Sequence, residues 1–367
     1  MTKARQATGL RLAATAAFVL LVAVSLLSAV AGGLLRAGAS WSLLHGSVVV
    51  AQAAGAHAAL MLSGFLGMVI AIERAVAVRL RWAFGAPVAA GLGSLALLAG
   101  RFEVAAALGT IAALVSVAVH LVVLQRQRAP HTALLLLASC AWLVGNVLFA
   151  VGRGPADALP WWFALPVLTI AAERLEMTRL TRRHAVAMPV LVAIVALLLA
   201  GAALSSSTTI GGVLFGCALL MLALWFGTFD IARRTLFAKG LPRYMAVCLL
   251  TGYAWLAVAG LAWMGVALGC PGRDLALHAL GLGFIVSMVM GHAPVILPAV
   301  VRVKLLFGPW FYAPLLALHA SLLLRVVVGI WEPALRAIGA QLNAVALLLF
   351  AITVVLSAIA WGRRKAV

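Results

Sequence analysis

Three imidazoles stand where hydrocarbon would serve: His57, His278 and His292 fall inside long apolar runs of the chain. An ionisable side chain at membrane depth costs about 2.5 kcal/mol or more, so it marks a place where something is done. Imidazole is also the side chain best matched to a haem iron or a copper ion. The first run reads LLHGSVVVAQAAGAHAALMLSGFLGMVIAIER, and the one carrying the other two histidines reads LALHALGLGFIVSMVMGHAPVILPAVV. His45 and His278 sit near the start of these runs. His57 and His292 lie ~18 Å and ~21 Å further along if both are straight α-helices. On such helices His292 returns to within about 40° of His278, whereas His57 stands about 120° from His45. For His45 and His57 to serve alike, the first run must be distorted near Gly46 or Gly55.

The neighbours of these histidines admit two readings each. Met61 follows His57 by four and Met288 precedes His292 by four, so each pair shares a face of an α-helix. A thioether beside an imidazole suits soft copper or an axial position on haem, and it equally fills gaps between helices. Gly55, Ser63, Gly64 and Gly67 in the first run, with Gly281, Gly283 and Gly291 in the second, either admit a flat macrocycle or let helices approach closely. His319 is a further metal-ligand candidate inside a later run, while His120, His131 and His184 are expected at the membrane interface. Glu73, Arg74, Glu173, Arg174 and Glu176 read as inward-facing ion pairs at the cytoplasmic boundary, or alternatively as a proton entry or quinol head-group site. Asp230 with Arg233 and Arg234 reads as a helix-end charge cluster, and Asn146 as interhelical glue. None of the four cysteines has CxxC or CxxCH spacing, which excludes c-type haem attachment and a zinc ribbon.

The elements that must position these residues follow from composition. Hydrophobic residues make up 66% of the chain and charged residues 10%, and mean hydropathy is +1.18. A water-soluble domain of that balance would expose one continuous apolar surface. Apolar runs of about 20 residues recur throughout, the length of transmembrane helices. The expected spans are 12–32, 43–72, 84–100, 103–124, 131–151, 160–180, 186–204, 211–232, 244–268, 275–300, 310–330 and 338–361. With the N-terminus inside, only Arg36, Arg101, Arg153, Arg273, Arg325 and Arg336 of the 27 Lys and Arg fall outside. That bias predicts twelve helices with both termini cytoplasmic. Lys3, Arg5 and Arg11 ahead of the first run read as the flank of an uncleaved helix. The net charge of +19 lies in clusters at span ends, which suits anionic lipid headgroups and argues against a nucleic-acid partner. Spans two and six both end in a Glu-Arg pair and a downstream proline, and span ten ends at a matching depth, so three four-helix units are one reading of the order.

The stretches HAALMLSGFLGMVIA (His57, Met61, Gly64, Phe65) and LHALGLGFIVSMVMGHAP (His278, Ala279, Leu280, Met288, Gly291, His292) resemble the NnrS family of bacterial membrane haem and copper proteins linked to the nitric-oxide response of denitrifiers. The likeness covers about a tenth of the chain. Ala58, Ala59 and Leu60 stand where that family carries a second histidine and an acidic residue, and the later His-to-Gly-His spacing is shorter here. A more distant resemblance is to the catalytic subunit of haem–copper oxidases and nitric-oxide reductases, which also has twelve spans in three four-helix units with haem ligands on the second and tenth. The adjacent His-His pair and third histidine that bind its copper are missing, so oxygen reduction is not expected.

The expectation is an all-α, polytopic bundle of twelve transmembrane helices forming a single domain over 1–367 in a bacterial inner membrane. One or two b-type haems would be held by His57 with His278 or His292, and by His45, with copper at His57, Met61, Met288, His292 and His319 as a further cofactor. The partners implied are the lipid bilayer, quinol, and a periplasmic cupredoxin, cytochrome or nitrite reductase. The activity would be nitric-oxide-related or electron transfer from quinol, with a copper transporter or a membrane anchor for a soluble redox partner as alternatives.

Overall fold

Lipid offers the backbone no hydrogen bonds, so each apolar run must satisfy its own by coiling. The computed structural model describes residues 2–39, 46–178, 185–301 and 303–364, and all its regular structure is helical. The helices are α1 (Thr2–Arg36), α2 (Val48–Gly55), α3 (Gly67–Val78), α4 (Gly85–Leu98), α5 (Phe102–Arg126), α6 (Pro130–Ala150), α7 (Pro155–Met177), α8 (Ala187–Leu204), α9 (Thr209–Phe229), α10 (Ala232–Thr235), α11 (Leu241–Ala267), α12 (Arg273–His278), α13 (Ser287–Val301), α14 (Tyr312–Val326) and α15 (Pro333–Arg364). Two eight-residue π-helices, Ala59–Leu66 and Ala279–Val286, join α2 to α3 and α12 to α13. The chain is a multi-pass helical membrane protein: among the described residues, 11 helical segments are long and apolar enough to cross a bilayer.

The expected sixth span is α7, a 23-residue helix that is not among those 11. Its three prolines, two tryptophans and the charged Asp157, Glu173, Arg174 and Glu176 lower its hydropathy. It is nevertheless buried along most of its length, with Ala158, Trp162, Ala164, Val167, Leu168 and Ala171 fully enclosed. A helix surrounded by protein has no need of a lipid-facing surface, so hydropathy alone undercounts it.

The chain divides into two compact units. The first comprises Met1–Gln127 and Trp142–Trp162, and the second Arg128–Ala141 and Phe163–Val367. In the first, α1 packs on α2 and the first π-helix, and α4 on α5. Its polar centre is closed by hydrogen bonds. Ser63 Oγ donates to Asn146 Oδ1 (2.9 Å), Trp142 Nε1 to Ser63 Oγ (2.9 Å), Trp162 Nε1 to Asn146 Oδ1 (3.2 Å) and Asn146 Nδ2 to the Gly109 carbonyl (3.0 Å). Asn146 thus does the interhelical work its type implies.

In the second unit α9 packs between α8 and α11, α11 also meets the second π-helix and α13, and α14 pairs with α15. A Cβ on Gly216 would lie 2.6 Å from the Gly260 carbonyl oxygen. Backbone therefore meets backbone where α9 and α11 touch, the close approach that small residues permit between membrane helices. Phe226 of α9 stacks on Tyr253 of α11 with centroids 4.7 Å apart. Tyr244 packs among Phe307, Phe311 and Tyr312.

Candidate functional site

Within the described residues, span two is broken near Gly55. Gly46 adopts φ +82°, Ser47 caps α2, and α2 ends at Gly55 with Ala56 turned out of helical geometry at φ −97°, ψ 9°. His57 follows that break and stands two residues before the first π-helix. Its Nδ1 lies 2.7 Å from the Ala29 carbonyl of α1. A carbonyl can only accept, so Nδ1 carries the proton. Gly33 makes room for this: a Cβ there would lie 2.7 Å from His57 Cε1 and 3.0 Å from Nδ1. Replacing Gly33 with Leu is therefore expected to expel the ring from its bond to Ala29, at a cost of about 1 kcal/mol for the hydrogen bond. The ¹⁵N spectrum of histidine-labelled protein checks this: the wild type shows His57 as the Nδ1-protonated tautomer, and G33L loses that signal.

In the second unit His278 closes α12 and opens the second π-helix. Its Nδ1 lies 3.0 Å from the Asp274 carbonyl and 3.0 Å from Asp274 Oδ1. Arg325 of α14 holds the same carboxylate bidentately, Nε to Oδ2 at 3.0 Å and Nη2 to Oδ1 at 2.8 Å. The sequence reading passed over Asp274 and Arg325, although the four-residue step from Asp274 to His278 was visible. Fourteen residues on, His292 places Nδ1 2.8 Å from the Met288 carbonyl. Eight of those residues are π-helical, so the rise and the shared face expected of a straight α-helix do not carry across them. The Met288 side chain packs on α11, since a Cβ on Gly252 would lie 2.4 Å from its Cε; it fills a gap between helices.

The remaining candidates are placed as follows. His319 uses both ring nitrogens: Trp255 Nε1 donates to Nδ1 at 3.0 Å, and Nε2 lies 3.1 Å from Thr251 Oγ1. Thr251 donates its own proton to the Val247 carbonyl, so His319 is a neutral ring donating through Nε2. His120 and His131, expected at the interface, are buried at 2% and 7% exposure. His45 and His184 lie outside the described residues. Met61 is partly buried within the first π-helix, where the four-residue step to His57 no longer keeps α-helical phase. Among the described residues, no three His, Cys, Asp or Glu side chains gather as a metal site.

At the expected cytoplasmic boundary, Arg74 hydrogen-bonds its neighbour Glu73. Arg174 also forms an inward ion pair, and its partner is one the sequence reading had placed elsewhere. Arg174 turns to Asp230, Nε to Oδ2 at 2.7 Å and Nη2 to Oδ1 at 2.9 Å, with side chains 4% and 0% exposed. Asp230 is therefore not part of a surface cluster with Arg233 and Arg234. The chain leaves α9 in extended conformation at Asp230, which turns the carboxylate inward while it also accepts from Ala232 N. Tyr253 lies beside the pair. The partners are 56 residues apart, and no local spacing could have revealed them.

His57 belongs to the first unit, and His278 and His292 to the second. All three share one feature, a protonated Nδ1 held by a main-chain carbonyl. That is the supporting shell of a histidine that binds iron or another metal through Nε2. His278 adds the carboxylate that such histidines often engage. His120 makes the same kind of bond, its Nδ1 lying 2.9 Å from the Ser116 carbonyl.

The family model described as a domain of unknown function (DUF8744) matches residues 14–359. No curated protein and no solved structure matches the chain.

Proposed function

Since the chain belongs to this family of unknown function, we propose from its own residues that it is a haem-binding redox protein of a bacterial inner membrane. His57 within the first unit and His278 within the second would each hold haem through the imidazole. One observation carries the reading: each of these two histidines stands at the mouth of an eight-residue π-helix with its Nδ1 proton pinned. π-Helical turns are rare and concentrate at functional sites, because the widened turn re-aims a side chain at the expense of regular packing. Two among the described residues, each next to an imidazole, are hard to attribute to packing alone.

Bound haem would supply an iron that changes oxidation state and, where an axial position stays open, takes a small gas such as nitric oxide. What the chain contributes is orientation. Ala29 and Gly33 fix the His57 ring, and Asp274, anchored by Arg325, fixes the His278 ring. Electron exchange between quinol and a periplasmic cupredoxin, cytochrome or nitrite reductase, or handling of nitric oxide, are the activities that such ligands serve. Copper has weaker support, because Met288 fills the notch at Gly252 and His319 is committed to Trp255 and Thr251.

A reduced-minus-oxidised visible spectrum of the purified protein tests this. The expected result is the α-band of b-type haem with iron in the preparation. A colourless protein after expression with haem supplementation would remove the proposal.

A further inference from the structure

The second unit contains a cavity of about 930 Å³ where α9 ends, and nothing in the redox reading uses it. Gly227, Phe229, Leu236, Phe237 and Leu250 give it apolar walls, and Asp230, Arg233 and Arg234 line it as well. A Cβ on Gly227 would meet nothing within 4 Å, so the α9 wall faces open space. Arg233, Arg234, Lys239 and Arg243 follow one another within eleven residues with no acidic residue among them. The Asp230 carboxylate is already engaged bidentately by Arg174, at 2.7 and 2.9 Å, which leaves Arg233 and Arg234 as the cavity's charge-bearing side chains of the opposite sign outside that pair. Phe237 is 86% exposed, the most exposed of the large apolar side chains. The charge bias of the whole chain puts this end of α9 on the cytoplasmic side, where anionic lipid headgroups lie.

Arginine binds phosphate oxygens through paired N–H donors, and an exposed aromatic ring at such a boundary sits among headgroups and upper acyl chains. We propose that this cavity binds an anionic phospholipid, its phosphate held by Arg233 and Arg234 and an acyl chain laid along Phe229, Leu236 and Leu250. The chemistry recognised is a phosphate ester. The apolar walls and the exposed Phe237 select a lipid over free phosphate.

Native mass spectrometry of the detergent-purified full chain, titrated separately with phosphatidylglycerol, phosphatidylcholine and inorganic phosphate, tests the proposal. Phosphatidylglycerol is expected to bind at least tenfold more tightly than phosphatidylcholine, with inorganic phosphate failing to compete at millimolar concentration. R233Q/R234Q is expected to lower phosphatidylglycerol binding about tenfold. Gly227→Phe, which narrows the cavity at the α9 wall and keeps both arginines, is expected to do the same, while R363Q/R364Q at the end of α15 leaves it unchanged. Each variant is first checked for wild-type elution and melting, and Gly227→Phe stands as the second reading should the arginine variant not fold. Equal binding of phosphatidylcholine, full competition by inorganic phosphate, or wild-type lipid retention in a folded cavity variant would each overturn it.

Discussion

Asp230→Asn is expected to destabilise the protein by about 3–5 kcal/mol, the cost of leaving a buried guanidinium without its counter-charge. Arg174 and Asp230 meet through two short charge-assisted hydrogen bonds, and their side chains are 4% and 0% exposed. The geometry is the bidentate fork that matches arginine to carboxylate. The loss has a second part, because Asp230 also accepts from Ala232 N as the chain turns out of α9 into α10. Asparagine keeps the shape and one acceptor, so what it removes is chiefly charge. The double variant Arg174→Met/Asp230→Leu is expected to recover most of the loss, since replacing both buried partners with apolar groups spares the desolvation. Thermal unfolding in one detergent, followed by size-exclusion recovery, checks both. A single variant that melts with the wild type would mean that the pair is hydrated and contributes little.

The second large effect concerns Asp274. Its carboxylate touches His278 Nδ1 and is clamped by Arg325. Groups that support a ligating histidine in this way typically contribute 10–100-fold in affinity for the bound metal. Asp274→Asn is thus expected to weaken haem retention about 10–100-fold, measured as the rate of haem loss to apomyoglobin, while His292 and the first unit are untouched. Arg325→Lys should fall between the two, because lysine keeps the charge but not the bidentate fork. If Asp274→Asn loses haem at the wild-type rate, His278 is a structural residue at the end of α12.

The sequence made some of this readable and concealed the rest for physical reasons. Hydropathy marked the helices well because lipid tolerates no other backbone arrangement, and the starts of α4, α8 and α11 fall within a few residues of the apolar runs. The run that forms α7 was expected as a span at 160–180, although prolines, tryptophans and charges make it less apolar than the others. The two π-helices were illegible because changing the hydrogen-bond register from i−4 to i−5 leaves composition untouched. Only the awkward angle between His45 and His57 pointed to a break, and α2 does end there. Of the expected ion pairs, Glu73 with Arg74 was adjacent and could be read. Arg174 with Asp230, and Asp274 with Arg325, join residues 56 and 51 apart and needed the fold. Asn146 was identified by type alone, since an amide deep in an apolar span must find partners, and Ser63, Trp162 and Gly109 are those partners.

The most direct measurement is the haem-to-protein ratio by pyridine haemochrome for wild type, His57→Ala and His278→Ala, each purified to one monodisperse peak. Iron at both imidazoles predicts that each substitution lowers the ratio or converts the visible spectrum, and that imidazole added to the buffer restores it. Wild-type ratios and spectra in both variants would contradict ligation by these histidines and leave the π-helices as features of packing.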